Sequence, residues 1–408
     1  MKILHTSDWH LGDRLGRIER RPHIKKSLYQ IARYLEEYQV EVMIVSGDIF
    51  SDRLRAEQRR DAMDDFKEVF SPFLYRGGSI VAISGNHDNE VFFETLRTTI
   101  SMLPTGVKKP DGSYSGGFYI SSRPDLVRLI DKEEQVVQFV LMPYPRASIY
   151  LRDEKLNYTN LAEKNRNLQE AYTLVLSSIQ EMLERSQPSV LVSHVHVRGA
   201  QVHNLFHLTE NEDVVFEPSQ IPSHFSYAAY GHIHKSQRAI PGADHVRYAG
   251  SIERLDLGEK EDQKSVVYLE IKNGRRVDVP KLLSLECSPI YQLDITDPEQ
   301  IDHLPDIYPD HNEALISYNL HYHPTTHNRD VLMHRIEEIF PNWYKRDIIQ
   351  FGLDIGNSPL TNFDFSQPWK EIVRNYLNEE LKKQSDQSLG EEIRELANRL
   401  MEENEVQA

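Results

Sequence analysis

Five short segments of the sequence carry carboxylate, amide or imidazole side chains directly after a run of apolar residues. The segments are Asp8-Trp9-His10, Gly47-Asp48, Gly85-Asn86-His87-Asp88, His194 in the string VSHVHVRG, and Gly231-His232-Ile233-His234. The preceding runs, KILHTS, VEVMIVS, SIVAIS, SVLVS and YAAY, have the composition of β-strands. Because ligands of α/β proteins bind at the carboxyl ends of strands, the five segments could deliver their side chains to one crevice.

The residue types in these segments suit a pair of divalent metal ions. Two ions about 3.5–4 Å apart can hold a phosphodiester, activate a water molecule and stabilise the leaving oxygen. A carboxylate suits the position between the ions because it has two oxygens. Mixed imidazole, carboxylate and amide ligands favour Mn²⁺, Fe²⁺ or Zn²⁺ over an all-oxygen Mg²⁺ site. The candidate ligands are Asp8, His10, Asp48, Asn86, His194, His232 and His234.

Each segment also has a structural interpretation when it is considered alone. The DWH string could be a polar strand end, GNHD a tight turn, and the residues up to Asp48 a helix cap. The five segments together, each after an apolar run, favour a shared metal site instead. Within VSHVHVRG the choice of ligand stays open, because His194 and His196 are two residues apart. We favour His194, which directly follows the strand VLVS.

The order D-x-H, GD, GNHD, H and GHIH resembles the calcineurin-like metallophosphoesterase family. The strings TSDWHLG, GDIF, GNHD, GHIH and YAGSIER, which lie before residue 270, resemble in particular its DNA-repair nucleases. The resemblance implies a first metal held by Asp8, His10, Asp48 and His234. It implies a second metal held by Asp48, Asn86, His194 and His232, so that Asp48 would bridge the two ions. His87 would be the catalytic histidine outside the metal ligands, donating a proton or stabilising charge on the scissile phosphate.

One position departs from this family pattern. Three residues after the bridging aspartate some relatives carry a histidine or an aspartate, whereas this chain has Ser51 followed by Asp52. If a second imidazole matters there, its role is missing or displaced in this chain.

The resemblance implies a two-metal phosphodiesterase that cuts DNA, with Mn²⁺ as the expected ion and Mg²⁺, Fe²⁺ or Zn²⁺ as alternatives. The implied activities are a 3′-to-5′ double-strand exonuclease and an endonuclease for single strands and hairpins. The implied partners are DNA, a coiled-coil ATPase and a second copy of the chain within a heterotetramer. Two other functions fit the same fold class: a small-molecule or cyclic-nucleotide phosphodiesterase, and a non-catalytic DNA-end scaffold. The complete ligand set argues against the scaffold.

Arginines cluster beside the first two metal-type segments, although the chain as a whole is acidic. Arginines near a phosphodiester site bind backbone phosphates without reading the base sequence. The same residues could simply solvate helix faces. The candidates for DNA contact are Arg14, Arg17, Arg20, Arg53 and Arg55.

Composition limits the classes of function. The chain has 408 residues, 39% hydrophobic and 27% charged, as in soluble globular proteins of two or three domains. Its formal net charge of −16 argues against nucleic-acid binding over the whole surface. Cys287 is the single cysteine, which excludes an intrachain disulfide and favours a reducing compartment. We expect a cytoplasmic protein without membrane association, because no apolar run approaches the roughly 18 residues of a spanning helix.

The apolar patterns predict the elements that must position the candidate ligands. The first 85 residues alternate between strand and helix, which favours a sheet covered by helices. For the large domain, residues 1–280, the family resemblance implies a four-layer αββα sandwich. A small α/β capping domain is expected at 288–365, with a strand at Ala314–His321, a helix at Arg329–Phe340 and a strand at Asp347–Leu353.

Residues 366–408 are expected to form a separable helical segment. It carries two apolar stripes that have to be buried against another surface. The resemblance implies that this surface is the partner ATPase; packing on the chain's own domains is the alternative. The stripes consist of Trp369, Ile372, Val373, Tyr376 and Leu377, and of Ile393, Leu396, Leu400 and Met401.

Overall fold

The computed structural model describes residues 1–52, 54–102, 116–151, 157–202, 213–222, 224–351, 369–381 and 393–398. Within them, two β-sheets lie face to face. The first sheet consists of β1 (Lys2–Thr6), β4 (Val42–Ser46), β5 (Ser79–Ile83), β6 (Phe118–Ser121), β15 (Ser265–Lys272), β16 (Arg275–Arg276) and β17 (Lys281–Ser284). The second consists of β7 (Asp125–Ile130), β8 (Val136–Met142), β9 (Ser189–His194), β12 (Tyr227–Gly231), β13 (Gln237–Arg238) and β14 (Val246–Tyr248). Two short strand pairs complete this part: β2 (Arg14–Leu15) with β3 (Ile18–Glu19), and β10 (His196–Val197) with β11 (Val215–Phe216).

Helices cover the outer face of each sheet. Over the first sheet lie α1 (Arg21–Glu37), α2 (Ala56–Tyr75) and α3 (Glu90–Ser101). Over the second sheet lie α4 (Ala147–Tyr150) and α5 (Leu161–Glu181). The helices are amphipathic, and each buries its apolar stripe against the strands beneath it.

Strand residues alternate between two hydrophobic cores. On β4, Val42 and Ile44 point into the core between the sheets, whereas Met43 and Val45 pack against the helices. The second sheet contributes Phe139 to the same inner core. Because both faces of each sheet are covered, the central strands read as nearly continuous apolar runs. These layers confirm the αββα sandwich that the family resemblance implied.

Parallel pairing brings the carboxyl ends of the central strands to a common edge. In the first sheet β1 pairs in parallel with β4, and β4 with β5. In the second sheet β9 lies between β8 and β12, parallel to both. The five candidate segments come at the ends of β1, β4, β5, β9 and β12, so all five lie at this edge. The first sheet itself continues through β17, past the domain boundary that was predicted at residue 280.

A third sheet with its own apolar core follows the sandwich. It consists of the parallel strands β18 (Ile290–Ile295), β19 (Leu315–Tyr322) and β20 (Trp343–Gln350), with helices α6 (Leu304–Ile307) and α7 (Arg329–Ile339). β19 and α7 match their predicted positions to within one residue at each end. The strand predicted at Asp347–Leu353 is present, but its predicted start is four residues too late, because β20 begins at Trp343 and carries charged residues along the sheet edge. Whether 288–365 is a capping domain stays a prediction, and residues 352–365 lie outside the described residues.

The β2–β3 hairpin attaches this third sheet to the sandwich. The guanidinium of Arg17 donates to the carbonyls of Trp343 and Pro341, both at 2.8 Å. It also stacks over the Trp343 ring, 4.2 Å from the ring centroid. Gly16 has a φ of 57°, and a Cβ there would meet the Tyr344 carbonyl oxygen at 2.4 Å. The hairpin tip can therefore approach β20 only because it has no side chain at this position.

The C-terminal region is helical where it is described. Helix α8 spans Trp369–Leu381, and residues 393–398 are also helical. Arg374 Nε donates to Asn398 Oδ1 at 2.9 Å, which joins the two helices. The predicted stripe residues Leu400 and Met401 lie outside the described residues. Among the described helices, none is long and apolar enough to cross a bilayer.

Replacing Phe139 by alanine should destabilise the sandwich by about 3–5 kcal/mol, because it empties a fully buried ring position between the sheets. Ile130→Ala on the neighbouring strand β7, where the side chain is 68% exposed, should change stability by less than about 0.5 kcal/mol. Urea unfolding monitored by circular dichroism measures both. Equal effects of the two substitutions would contradict the inner core.

Candidate metal centre

The loops after β1 and β4 are joined by backbone hydrogen bonds. The amide of Asp8 donates to the carbonyl of Gly47 at 3.0 Å, and the amide of His10 donates to the carbonyl of Asp48 at 3.0 Å. Asp8, His10 and Asp48 have φ angles of 52°, 48° and 52°. This left-handed conformation is uncommon outside glycine and persists only where the surroundings hold it. The two loops therefore fix three candidate ligands in one arrangement.

Four candidate ligands form a chain of close polar atoms. His194 Nε2 lies 3.2 Å from Asp48 Oδ2 and 3.0 Å from Asn86 Oδ1. His232 Nδ1 lies 2.9 Å from the same Asn86 oxygen. Two ligand atoms about 2.1 Å from one ion, at right angles to each other, are about 3 Å apart. The four residues expected around the second metal therefore fit a divalent ion.

Asp8, His10 and His234 form another group, with one ligand atom of each within 4.8 Å of the others. The rings of His10 and His234 have centroids 5.2 Å apart. Within the described residues, the buried Nε2 of His10 makes no hydrogen bond. Leaving a buried polar atom unsatisfied is costly, and a bound cation would satisfy this nitrogen. These three residues therefore fit a second divalent ion.

Asp48 lies between the two groups. Its Oδ2 faces the Nε2 atoms of both His10 and His194, at 3.8 and 3.2 Å. Its Oδ1 accepts a hydrogen bond from the amide of His87 at 2.8 Å. One oxygen of Asp48 therefore faces imidazoles from both candidate groups.

The carboxylates and imidazoles alter each other's ionisation. Burial lowers the pKa of His10 to about 3 and leaves its ring neutral. Burial also acts to lower the pKa of His194, but the carboxylates of Asp48 and Asp8 raise it to about 9. Burial acts to raise the pKa of Asp48, yet His194 and other nearby histidines hold it well below its usual range. Asp48 therefore stays ionised at neutral pH, and a cation that binds through His194 has to displace the proton from that imidazole.

His87 lies at the rim, outside the buried ligands. Its side chain is 36% exposed, and its ring centroid is 5.0 Å from that of His10. Its Nδ1 lies 2.9 Å from Asp52 Oδ2. Ser51, the residue that departs from the family pattern, instead donates its hydroxyl to the carbonyl of His10 at 3.1 Å. Asp52 is therefore the side chain of this loop that orients His87.

Two buried acids contact candidate ligands although no sequence motif pointed to them. Asp213 Oδ2 lies 2.6 Å from His232 Nε2, and Glu259 Oε1 lies 2.7 Å from His234 Nδ1. His196 Nδ1 lies 3.3 Å from the same Asp213 oxygen, so it contacts this acid while His194 faces Asp48. The sequence offered no spacing signal for these acids, since they follow no strand end of the ligand type.

Another buried acid, Asp88 of the GNHD string, ties the loops together. Its carboxylate accepts from the amides of Gly85 at 2.8 Å and Phe50 at 2.9 Å. Burial, together with the negative charge of Asp48, raises the pKa of Asp88 to about 7. Asp88 thus links the second and third segments through hydrogen bonds to their backbone amides.

The arginines predicted to contact DNA occupy different environments. Arg14 is exposed and pairs with Glu19, and Arg55 is exposed at the start of α2. Arg17 is engaged with β20. Arg20 is fully buried, and its guanidinium donates to the carbonyl of Arg254, so a phosphate could not reach it without displacing that partner. Arg53 lies outside the described residues.

Residues 1–236 of the 408 match the family described as Calcineurin-like phosphoesterase. The chain belongs to this family. Members are phosphoesterases that work with bound metal ions, and the clusters of buried ligands at the strand ends agree with that chemistry.

This phosphoesterase is similar to curated proteins named as the SbcD component of the nuclease SbcCD. It is 25% identical to the one from Escherichia coli (strain K12) over 291 residues, 69% of this chain and 68% of that protein. It is 22% identical to the one from Staphylococcus epidermidis (strain ATCC 12228 / FDA PCI 1200) over 401 residues, 95% of this chain and 91% of that protein. Among solved structures, a dimetal phosphatase from Danio rerio aligns with 70% of this chain and 99% of that chain, at 10% identity and a TM-score of 0.38.

Glycines let the phosphoesterase's loops approach the ligands. A Cβ on Gly85 would lie 2.1 Å from Asp48 Oδ1 and 2.6 Å from the Asp48 amide nitrogen. A Cβ on Gly231 would lie 2.0 Å from the Ser46 carbonyl oxygen. No side chain fits at either position without moving the segment that carries Asp48.

Gly85→Ala should therefore lower Mn²⁺ affinity by about tenfold or more, because it pushes the Asp48 carboxylate away from its neighbours. Equilibrium dialysis followed by metal analysis gives the affinity. Gly242→Ala is the matched control, since a Cβ there meets nothing within 4 Å although φ is 79°. Similar metal binding by both variants would contradict the proposed position of Asp48.

Proposed function

We propose that this phosphoesterase is a metal-dependent DNA nuclease that processes DNA ends together with an SbcC-type coiled-coil ATPase. The proposed activities are a 3′-to-5′ exonuclease on double strands and an endonuclease on single strands and hairpins. The names of the relatives support this, since one of them aligns with 95% of the chain. The proposed metal is Mn²⁺, which suits the mixed imidazole, carboxylate and amide ligands.

The observation that carries the proposal is the position of His87 relative to the ligands. The candidate ligands are mostly buried, with side-chain exposures of 7% for His10 and 2% for Asp48. His87 is partly exposed beside them, and its amide donates a hydrogen bond to Asp48. A phosphodiester that enters from the exposed side would therefore meet the His87 ring as it reaches the ligands.

The residues of the chain would share the chemistry in a simple way. When bound, two divalent ions would hold the scissile phosphate and activate a water molecule. His87 would donate a proton or a hydrogen bond to the phosphate oxygens as charge develops on them. Asp52, 2.9 Å from His87 Nδ1, would keep Nε2 of that ring directed at the substrate. The expected products carry a 3′-hydroxyl and a 5′-phosphate.

The direct test incubates the purified chain and Mn²⁺ with a 5′-labelled blunt duplex and a labelled hairpin. The wild type should shorten the duplex strand to a ladder and open the hairpin. His87→Ala should keep its metals but lose cleavage by about 100-fold or more. Asp48→Ala should lose both metal and cleavage, because it removes the carboxylate between the two ion positions.

His334→Ala, which changes a histidine that is 74% exposed on α7, should cut DNA like the wild type. Cleavage that survives both site substitutions would contradict the proposed site. Bound metal with no DNA cleavage, but with turnover of bis-p-nitrophenyl phosphate, would favour the small-molecule phosphodiesterase instead.

Asp52→Asn should lower kcat for DNA cleavage by about tenfold, with metal content unchanged, because His87 loses its charged orienting partner. Asp330→Asn is the control, since that exposed acid lies on α7 and pairs with Arg329. Single-turnover cleavage with saturating DNA measures the chemical step. An unchanged rate for Asp52→Asn would mean that His87 acts without this partner.

The proposed assembly uses surfaces that the fold leaves exposed. Helix α8 and the residues after it would dock on the ATPase, and the described part exposes Tyr376 at 37% and Leu396 at 53%. A second copy of the chain would pack near α3, where Val91 is 75% and Met102 77% exposed. Deletion of residues 366–408 should abolish co-purification with an SbcC-type ATPase while Mn²⁺-dependent cleavage remains.

A further inference from the structure

The two histidines of the GHIH segment are held by carboxylates at opposite ring nitrogens. Asp213 Oδ2 lies 2.6 Å from Nε2 of His232, whereas Glu259 Oε1 lies 2.7 Å from Nδ1 of His234. Both acids are only 1% exposed. Two neighbouring histidines are thus restrained in different ways by acids from separate loops.

Each carboxylate is itself anchored through its other oxygen. Asp213 Oδ1 accepts from the amide of Val214 at 2.8 Å and from the hydroxyl of Tyr144 at 3.2 Å. This leaves Oδ2 directed at His232, with His196 also in reach. Groups other than the histidine therefore fix the position of this carboxylate.

Glu259 is anchored in the same manner. Its Oε2 accepts from the hydroxyl of Ser251 at 3.0 Å and lies 2.6 Å from the ammonium of Lys264. The lysine is 2% exposed and neutralises the buried acid. Oε1 is left directed at His234.

A neutral imidazole has one N–H and one lone pair, so a carboxylate that accepts the N–H decides which nitrogen can bind a metal. For His232 the remaining nitrogen is Nδ1, which lies 2.9 Å from Asn86 Oδ1. For His234 it is Nε2, in the ring that groups with Asp8 and His10. The two remaining nitrogens thus belong to the two different candidate metal groups.

The distances distinguish this arrangement from a metal shared by His196, Asp213 and His232. Ligand atoms of one ion are about 3 Å apart or more, as they are around Asn86. The 2.6 Å between Asp213 and His232 is the length of a charge-assisted hydrogen bond. The 2.6 Å contact therefore favours Asp213 as a hydrogen-bond partner of the histidine, although the same three residues also form a cluster that could hold an ion.

We propose that Asp213 and Glu259 are positioning residues that make His232 bind its metal through Nδ1 and His234 bind its metal through Nε2. The proposal rests on the proposed two-metal site and adds a separate carboxylate support for each ion. Hydrogen-bond partners of this kind fix the orientation of metal-binding histidines and raise their basicity.

The first measurement is the metal content and affinity of the full chain with Zn²⁺ and Mn²⁺. Asp213→Asn and Glu259→Gln should each lower the affinity for one of the two bound ions by about 10- to 100-fold. The affinity for the other ion should stay unchanged. Asp65→Asn is the control, because this 3%-exposed acid pairs with Arg21 and Lys25 between α1 and α2. Thermal unfolding of each variant separates loss of metal binding from loss of fold.

The second measurement reads the ring nitrogens directly. In the Zn²⁺-loaded chain labelled with ¹⁵N-histidine, two-bond ¹H–¹⁵N spectra should give a metal-bound Nδ1 for His232 and a metal-bound Nε2 for His234. His232→Gln and His234→Gln assign the signals. Asp213→Ala should disturb the His232 pattern alone.

Either ring bound through the other nitrogen would overturn the proposal. So would a third bound ion that Asp213→Asn removes while the other two stay. The metal-affinity and NMR measurements are made without DNA. If they give the expected nitrogens but the chain does not cleave DNA, the result counts against the proposed function only. DNA cleavage with the reversed nitrogens would count against this inference only.

Discussion

Five buried carboxylates lie at one edge of the sandwich, and the cost of holding their charge away from water governs the structure around them. They are Asp8, Asp48, Asp88, Asp213 and Glu259. An unpaired carboxylate in a protein interior is unfavourable by several kcal/mol, so each one needs a partner or a proton. Glu259 has Lys264, Asp213 has His232, and Asp88 has a raised pKa of about 7 with backbone amides around it. Asp8 and Asp48 lie among imidazoles, where divalent cations would complete the charge balance.

The double sheet is the scaffold that can maintain such an arrangement. Its parallel strands end at one edge, and the loops beyond them adopt strained left-handed backbone at Asp8, His10, Asp48 and His232. Strained backbone persists only when packing and hydrogen bonds over-determine it. Here that restraint comes from loop-to-loop amide bonds and from Asp88, which joins the second and third segments. The fold itself therefore fixes the arrangement of these candidate ligands.

The sequence predicts that the candidate ligands cluster, because they follow strands whose apolar runs are easy to recognise, and the structure brings them together. It could not identify Asp213 or Glu259, since their contacts with His232 and His234 depend on tertiary packing across loops. Glu259 stands in the polar run DLGEKEDQK, which has the composition of a solvated loop.

Two further features could not be predicted from the sequence, because they too depend on tertiary packing. Arg20 has the sequence context of a surface cation, but the fold buries it beside Glu253. β20 begins four residues before the predicted strand, because an edge strand tolerates charges such as Lys345 and Arg346. Apolar periodicity therefore locates the central strands. Buried ion pairs and the limits of edge strands can be identified only from the three-dimensional structure.

Anomalous diffraction from crystals soaked in Mn²⁺, recorded at the manganese edge, tests the two-metal centre most directly. We predict two peaks on either side of Asp48. One should lie among Asp8, His10 and His234, and the other among Asn86, His194 and His232. A single peak, or a peak among His196, Asp213 and His232 in place of one of these, would contradict the two-metal centre.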